Sequence, residues 1–155
     1  YTFEAPCVIG ALLAGASTEK AEDLARVTEP LGLAFQIQND LLEISHLDGK
    51  DQLLPTDLLE GKKTLLIHEA YQRLGEVDRS FLQMCFHSSA RNEASISKVQ
   101  DLLRKSGAIQ AMQEKCRSLF EESNRLLADS HLTQVEQASI SEAIDWVRQT
   151  VRLGS

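Results

Sequence analysis

Proline and glycine are scarce, with three and eight in 155 residues, so the chain lacks the turn-formers that a strand-rich fold consumes. No segment sustains apolar–polar alternation, and no fixed-period repeat is evident. Cysteine is equally sparse. Cys7, Cys85 and Cys116 lie far apart without a CxxC pair, which leaves no basis for a zinc centre or a disulfide framework. A reducing, cytoplasmic setting is the simplest reading. Positive charge is in deficit, 16 Lys and Arg against 23 Asp and Glu for a net charge of -7. That balance argues against general binding to nucleic acid or anionic membranes, yet leaves room for a local basic pocket around a phosphorylated small molecule. Long apolar runs are missing too. The best, Val8 to Ala16, falls short of the roughly 20 residues that span a bilayer. Glu4 and Pro6 precede it in place of a basic region, so it makes a poor signal peptide and reads as a buried helix.

What the chain has in quantity is helical periodicity. At this length one domain with a proper core is the default. Pro6 suits the first turn of the opening helix, whose apolar stripe is Val8, Ile9, Leu12 and Leu13. Gly10, Ala11, Ala14, Gly15 and Ala16 keep its other sides small, as expected of an inner helix that lies close to an upstream partner. Ser17 or Thr18 caps the next helix, with Leu24, Val27, Leu31, Ala34 and Phe35 carrying its stripe to Ile44. Pro30 should kink or split it. HLDGKDQLLPTD, after Ser45, reads as a loop, and Thr56 or Asp57 then caps a short turn, Leu58 to Gly61. Helices follow at Thr64 to Leu74, with Leu65, Leu66, Ala70 and Leu74 inward and Gly75 ending it, and at Val77 to Phe86. Asn92 or Ser95 opens one that stops near Ser106 and Gly107, and Ala108 to Ser130 forms a long one. Thr133 and Glu136 make a capping box for the last, with Val135, Ala138, Ile140, Ile144, Val147 and Val151 inward. The expected fold class is all-α.

The central stretch LGLAFQIQNDLLEISHLDGKDQLLPTDLLEGKKT carries the chemistry. Gln36, Asn39, Asp40 and Glu43 fall at i, i+3, i+4 and i+7 on one helix face. Magnesium takes oxygen ligands, keeps waters and shares carboxylates with substrate phosphates. Asp40 and Glu43 suit it, Asn39 adds a neutral oxygen, and Asp57 would fold back to the same ion. Lys50 and Lys62 would neutralise phosphate oxygens as point charges. The bland alternative is a solvated acidic face followed by a basic loop, because NDxxE is short and easily met by chance. Other templates fail. Thr56 stands where a P-loop needs its first glycine, and Gln72 where HExxH needs its second histidine. No GxSxG elbow exists. His46, His87 and His131 are isolated and read as ordinary surface or core histidines. Arg104, Lys105, Arg148 and Arg152 read as solvated helix faces.

These segments resemble a known family. FQIQNDLLE, then Gly49-Lys50, then TDLLEGKKT, is similar to the second aspartate-rich region of the trans-isoprenyl diphosphate synthases, FQ-x-x-DD-x-x-D, a GK loop and D-L-x-x-G-K-x-T. YTFEAP resembles the segment after that family's Lys-Thr motif, and SGAIQAMQEKCRSLFEESNRLL with the last helix resembles its C-terminal region. The resemblance implies an isoprenoid-synthase-type helical bundle around a deep cavity, usually homodimeric. Residues 1–155 would be the C-terminal half of one synthase domain, a fragment inactive alone. It implies a prenyltransferase of farnesyl or geranylgeranyl type in isoprenoid biosynthesis, soluble and without stable membrane insertion. In that reaction an allylic diphosphate ionises with Mg2+, isopentenyl diphosphate attacks the carbocation, and a proton is lost. By position, Asn39, Asp40, Glu43 and Asp57 would bind metal, while Gln36, Lys50 and Lys62 would sit at the allylic diphosphate. Two places depart from the pattern. Asn39 stands for the leading aspartate and Glu43 for the final one, and the amide removes a negative charge. A non-catalytic paralogue or regulatory subunit with a degraded motif is the alternative. A class I terpene cyclase motif is not met, because Glu43 and Leu47 stand where it needs Ser or Thr and Glu.

Overall fold

A computed structural model describes residues 3–45, 58, 60–87 and 93–150. Every regular element among them is helical. In chain order they are α1 (Glu4–Leu13), α2 (Thr18–Ser45), α3 (Leu65–Arg73), α4 (Glu76–His87), α5 (Glu93–Lys105), α6 (Ala108–Ala128) and α7 (Gln134–Thr150). The chain forms two compact units, Tyr1–Gln36 with Lys115–Arg152, and Ile37–Glu114 with Leu153–Ser155. The all-α expectation holds.

The first unit is stitched by polar bonds as well as apolar packing. Val27, Leu31, Ala34, Leu119, Phe120, Ile144 and Val147 are buried. Between them, Ser123 Oγ donates to the Val27 carbonyl at 2.7 Å and Cys116 Sγ to the Ala34 carbonyl at 3.6 Å. Ser17 proves to be the cap of α2, its Oγ accepting from Lys20 N–H at 3.3 Å. Pro30 does not split that helix, which runs on through it. A proline removes one helical bond, and here the helix is held on either side by the buried Val27, Thr28 and Leu31. The capping box is present as expected: Thr133 Oγ1 accepts from Glu136 N–H at 3.3 Å, and Glu136 Oε2 accepts from Thr133 N–H at 2.7 Å.

Inward assignments on three helices are corrected here. No residue of α1 is buried, and Ile9, Leu12 and Leu13 are 56%, 50% and 85% exposed. Phe3 meets Phe35 edge-on at 5.2 Å between ring centroids, but that contact covers only the start of α1. An apolar stripe says that a face needs cover, not what supplies it. Val135 and Ala138, expected inward, are both exposed, Val135 at 77%, since they sit in the early turns of α7, before the helix reaches the core at Ile144. Leu65 is likewise 42% exposed at the first position of α3.

In the second unit α5 packs against both α3 and α4. Ile37, Leu41, Ile44, Leu66, Leu82, Ile96, Val99, Leu102 and Leu103 are buried. Thr64 caps α3 by accepting from Ile67 N–H at 3.4 Å. Gly75 does not end α3 as a left-handed C-cap. Leu74 turns extended instead (ψ 153°), and the Gly75 carbonyl accepts Arg79 N–H at 2.9 Å, starting α4. Left-handed glycines do occur at Gly61 (φ 71°) and Gly107 (φ 72°), the latter closing α5 where the sequence places the stop. The loop after Ser45, Asn92 and Val151 lie outside the described residues.

Candidate metal and diphosphate site

The last turns of α2 remain helical through Asn39, Asp40 and Glu43, so the i, i+1 and i+4 spacing is real. Their burial is uneven. Asp40 is 6% exposed, deep beside the buried Ile37, Leu41 and Ile44, while Glu43 is half-buried and Asn39 exposed. Gln36, on the same helix at the end of the first unit, is exposed. A carboxylate so well covered needs partners, and Asp40 and Glu43 are both engaged in interactions within the fold. They are one helical turn apart, which is how one rigid surface offers two oxygen donors to a divalent cation.

Beyond the loop, Lys62 is exposed and its Nζ lies 3.2 Å from Glu60 Oε2, with about half of each side chain in solvent. The sequence reading passed over Glu60. The signal was there, an acid and a base flanking the left-handed Gly61. A surface pair of this kind contributes at most about 1 kcal/mol, so Lys62 can leave it for a stronger anion such as a diphosphate. Lys50 and Asp57 lie outside the described residues. Among the described residues no group of three or more His, Cys, Asp and Glu is placed to hold a metal. Asp40 and Glu43 are a pair, not a full cage. A pair is what magnesium needs when substrate phosphates and water complete its shell.

The histidines expected to be ordinary are accounted for only at His131. Its N–H donates to Asp23 Oδ2 at 2.6 Å, and its Nδ1 lies 3.0 Å from the same oxygen. Asp23 also accepts from Arg26. The buried Asp23 carboxyl is held below the usual carboxylate range, mainly by the His131 N–H, against the opposing effect of burial. This polar cluster lies wholly in the first unit. Arg148, read as solvated, sets its guanidinium 5.2 Å from the Phe120 ring centroid.

A family model, Polyprenyl synthetase, matches residues 1–103. The chain belongs to this family. A farnesyl pyrophosphate synthase of Nezara viridula is 32% identical over 102 residues, covering 65% of this chain and 25% of the relative. A polyprenyl synthase structure from Caulobacter crescentus, complexed with calcium and isoprenyl diphosphate, is 27% identical with a TM-score of 0.75. The match covers 98% of this chain and 46% of that one. A geranylgeranyl pyrophosphate synthase structure from Corynebacterium glutamicum, complexed with isoprenyl diphosphate and magnesium, shares the fold at 22% identity and a TM-score of 0.78. It is covered to 43%, against 96% of this chain. The chain thus spans from a quarter to under half of the proteins it matches. Among the described residues, no helix is long and apolar enough to cross a membrane.

Proposed function

We propose that residues 1–155 form the C-terminal half of one polyprenyl synthase domain and carry the diphosphate-facing side of its active site. The observation that carries this reading is Asp40 and Glu43, one turn apart on α2, in a chain that belongs to the polyprenyl synthetase family. The substrates are an allylic diphosphate and isopentenyl diphosphate. The complete protein is a homodimer in the cytoplasm, and the product chain length is set elsewhere. The exposed apolar side of α1 is consistent with a face that the rest of such a domain covers.

The metal is Mg2+, held by Asp40 and Glu43 with Asn39 and Asp57 completing the protein side. When bound, it would neutralise charge on the departing diphosphate. Lys62 gives up its weak pair with Glu60 to hold the leaving oxygens, Lys50 joins it, and Gln36 donates its amide to the same group. These cations favour the state in which the C–O bond has broken, because the diphosphate then carries the most negative charge. The residues fit the group in type and number, except that Asn39 supplies an oxygen without a charge.

Without its other half the chain is inactive, so the decisive test joins it to the upstream half of a synthase and measures incorporation of isopentenyl diphosphate with Mg2+. Condensation with any allylic primer supports the reading. None, with every primer tried, sinks it and favours a non-catalytic paralogue, the second reading that Asn39 motivates.

A further inference from the structure

The second unit contains another arrangement of cation and apolar wall, made from none of the residues assigned above. Where α3 and α4 meet lies a cavity of about 220 Å3 lined by Lys63, Ile67, His68, Tyr71, Leu82 and Phe86, with Gln83 alongside. Ile67 and Leu82 are 6% and 1% exposed and make its floor, with the half-buried Phe86 beside them. Lys63 is exposed on the extended stretch just before the Thr64 cap. Its neighbour Lys62 is taken by Glu60, while among the described residues no acid pairs with Lys63.

The electrostatics run one way. Among the described residues no carboxylate lines the cavity. Glu69, the nearest acid in sequence, is occupied by Arg73 at 2.6 Å. Arg79 lies outside the lining, its guanidinium donating to the Tyr71 and Gln72 carbonyls at 2.8 and 3.1 Å, so the positive charge at the mouth is that of Lys63. A positively charged mouth over an apolar floor is uncommon decoration on a chain of net charge -7. It matches a ligand with the opposite layout: a negative head and a hydrocarbon body.

We propose that this cavity binds a small amphiphilic anion, with its head at Lys63 and its tail against Ile67, Leu82 and Phe86. The volume sets the size. At roughly 30 Å3 for each water-sized group, it holds a tail of about five to eight carbons. Head chemistry is shared between a phosphate monoester and a carboxylate, both of which accept from an ammonium.

The test uses the 155-residue chain, with hexyl phosphate and octanoate as probes, and hexanol and inorganic phosphate as the two halves of the ligand. Calorimetry and amide NMR shifts read binding. Both amphiphiles are expected to bind with a Kd on the order of 1 mM, moving the amide signals of Ile67, Tyr71 and Leu82. Hexanol and inorganic phosphate should each bind at least about fivefold more weakly. Lys63→Ala should weaken the amphiphiles by a similar factor, Lys63→Arg should restore them, and Gln83→Trp should fill the cavity and abolish them. Both positions are exposed, so these variants keep the helical content by which their folding is checked. A preference for hexyl phosphate points to a phosphate ester as the natural ligand, and the reverse to a short fatty acid. Equal binding of hexanol, equal binding of inorganic phosphate, an unaffected Lys63→Ala, or no binding of either amphiphile each overturns the proposal.

Discussion

Two acids on α2 reach similar depth, and the proposed function gives them different roles. Asp23 is 1% exposed and Asp40 is 6% exposed, and each has a second carboxylate one turn away, Glu19 before Asp23 and Glu43 after Asp40. Asp23 spends its acceptors on its own fold. His131, 108 residues later in the chain, gives it a backbone N–H and a ring nitrogen, and Arg26 gives it a guanidinium. Such a carboxylate ties the turn after α6 to the start of α2 and has little left to offer a ligand. Burial alone therefore does not mark a site. Nor does a second carboxylate one turn away, since Glu19 stands so to Asp23 with its Oε1 3.5 Å from His131 Nε2. What sets the proposed site apart is that no histidine or arginine is placed at i+3 or i+4 of Asp40, where Glu43 and Ile44 stand.

The comparison breaks most sharply through Asp40. In a synthase completed with its upstream half, Asp40→Ala should cost about 10²–10³-fold in turnover, the loss typical of removing one group that stabilises developing charge. Asp23→Ala in the same protein should leave turnover of the folded enzyme within about twofold, since a surrounding group that touches no substrate carries no such charge. Steady-state kinetics on protein verified as folded separates the two. Equal losses would erase the distinction between a structural and a metal-facing acid.

Stability should show the opposite order. Asp23→Ala leaves the His131 N–H and Arg26 without their acceptor and should destabilise by about 3 kcal/mol, read from urea unfolding. Its pH dependence has a definite sign. The folded carboxyl titrates below its ordinary value, so between the two values the folded state binds fewer protons, and the contribution to stability is complete above the ordinary value. That contribution is present at neutral pH and is lost as pH falls through and below the ordinary carboxylate range. Asp23→Asn should flatten the acid limb of the stability curve. An unchanged limb would place the acid sensitivity elsewhere.

A smaller effect is expected at the exposed end of the same unit. Glu136 is pulled down to about 2, first by its hydrogen bond from Lys20 and then by Thr133. Thr133→Ala removes the capping hydroxyl and should cost about 1 kcal/mol. It should also raise the Glu136 pKa only part of the way back to its ordinary value, because the Lys20 contact at 2.8 Å survives. Carboxyl NMR titration distinguishes this from a full return, which would make Thr133 the dominant influence.

Legibility followed the reach of each interaction. Helices α1 to α7 were readable because their periodicity, the Ser17 and Thr133 caps and the Gly107 stop are local signals. The Asp40–Glu43 spacing was readable for the same reason, and the family resemblance added roles that spacing alone does not assign. The Asp23–His131 tie was invisible, since 108 residues separate its partners. So was the exposure of Leu13, because an apolar stripe looks the same whether or not something lies against it. Gly75 misled for a third reason. A glycine after a helix suggests a left-handed cap, but here Leu74 had already turned extended.

The finest probe of the α2 comparison is Asn39→Asp. Asn39 is exposed, so a carboxylate there pays little desolvation. In the absence of metal it should be mildly unfavourable, by about 0.3 kcal/mol, because it meets the like charge of Glu43 at i+4 near the negative end of the helix. With Mg2+ the sign should reverse, as a third oxygen donor with charge joins Asp40 and Glu43. The Mg2+ concentration for half-maximal binding of inorganic pyrophosphate should then fall about threefold, an increment expected of one extra charge in a solvent-exposed position. Thermal unfolding without metal and pyrophosphate calorimetry across a Mg2+ series read the two signs separately. Destabilisation without any gain in Mg2+ dependence would mean that the acids at this end of α2 are a solvated face, and that Asp40, like Asp23, serves only the fold.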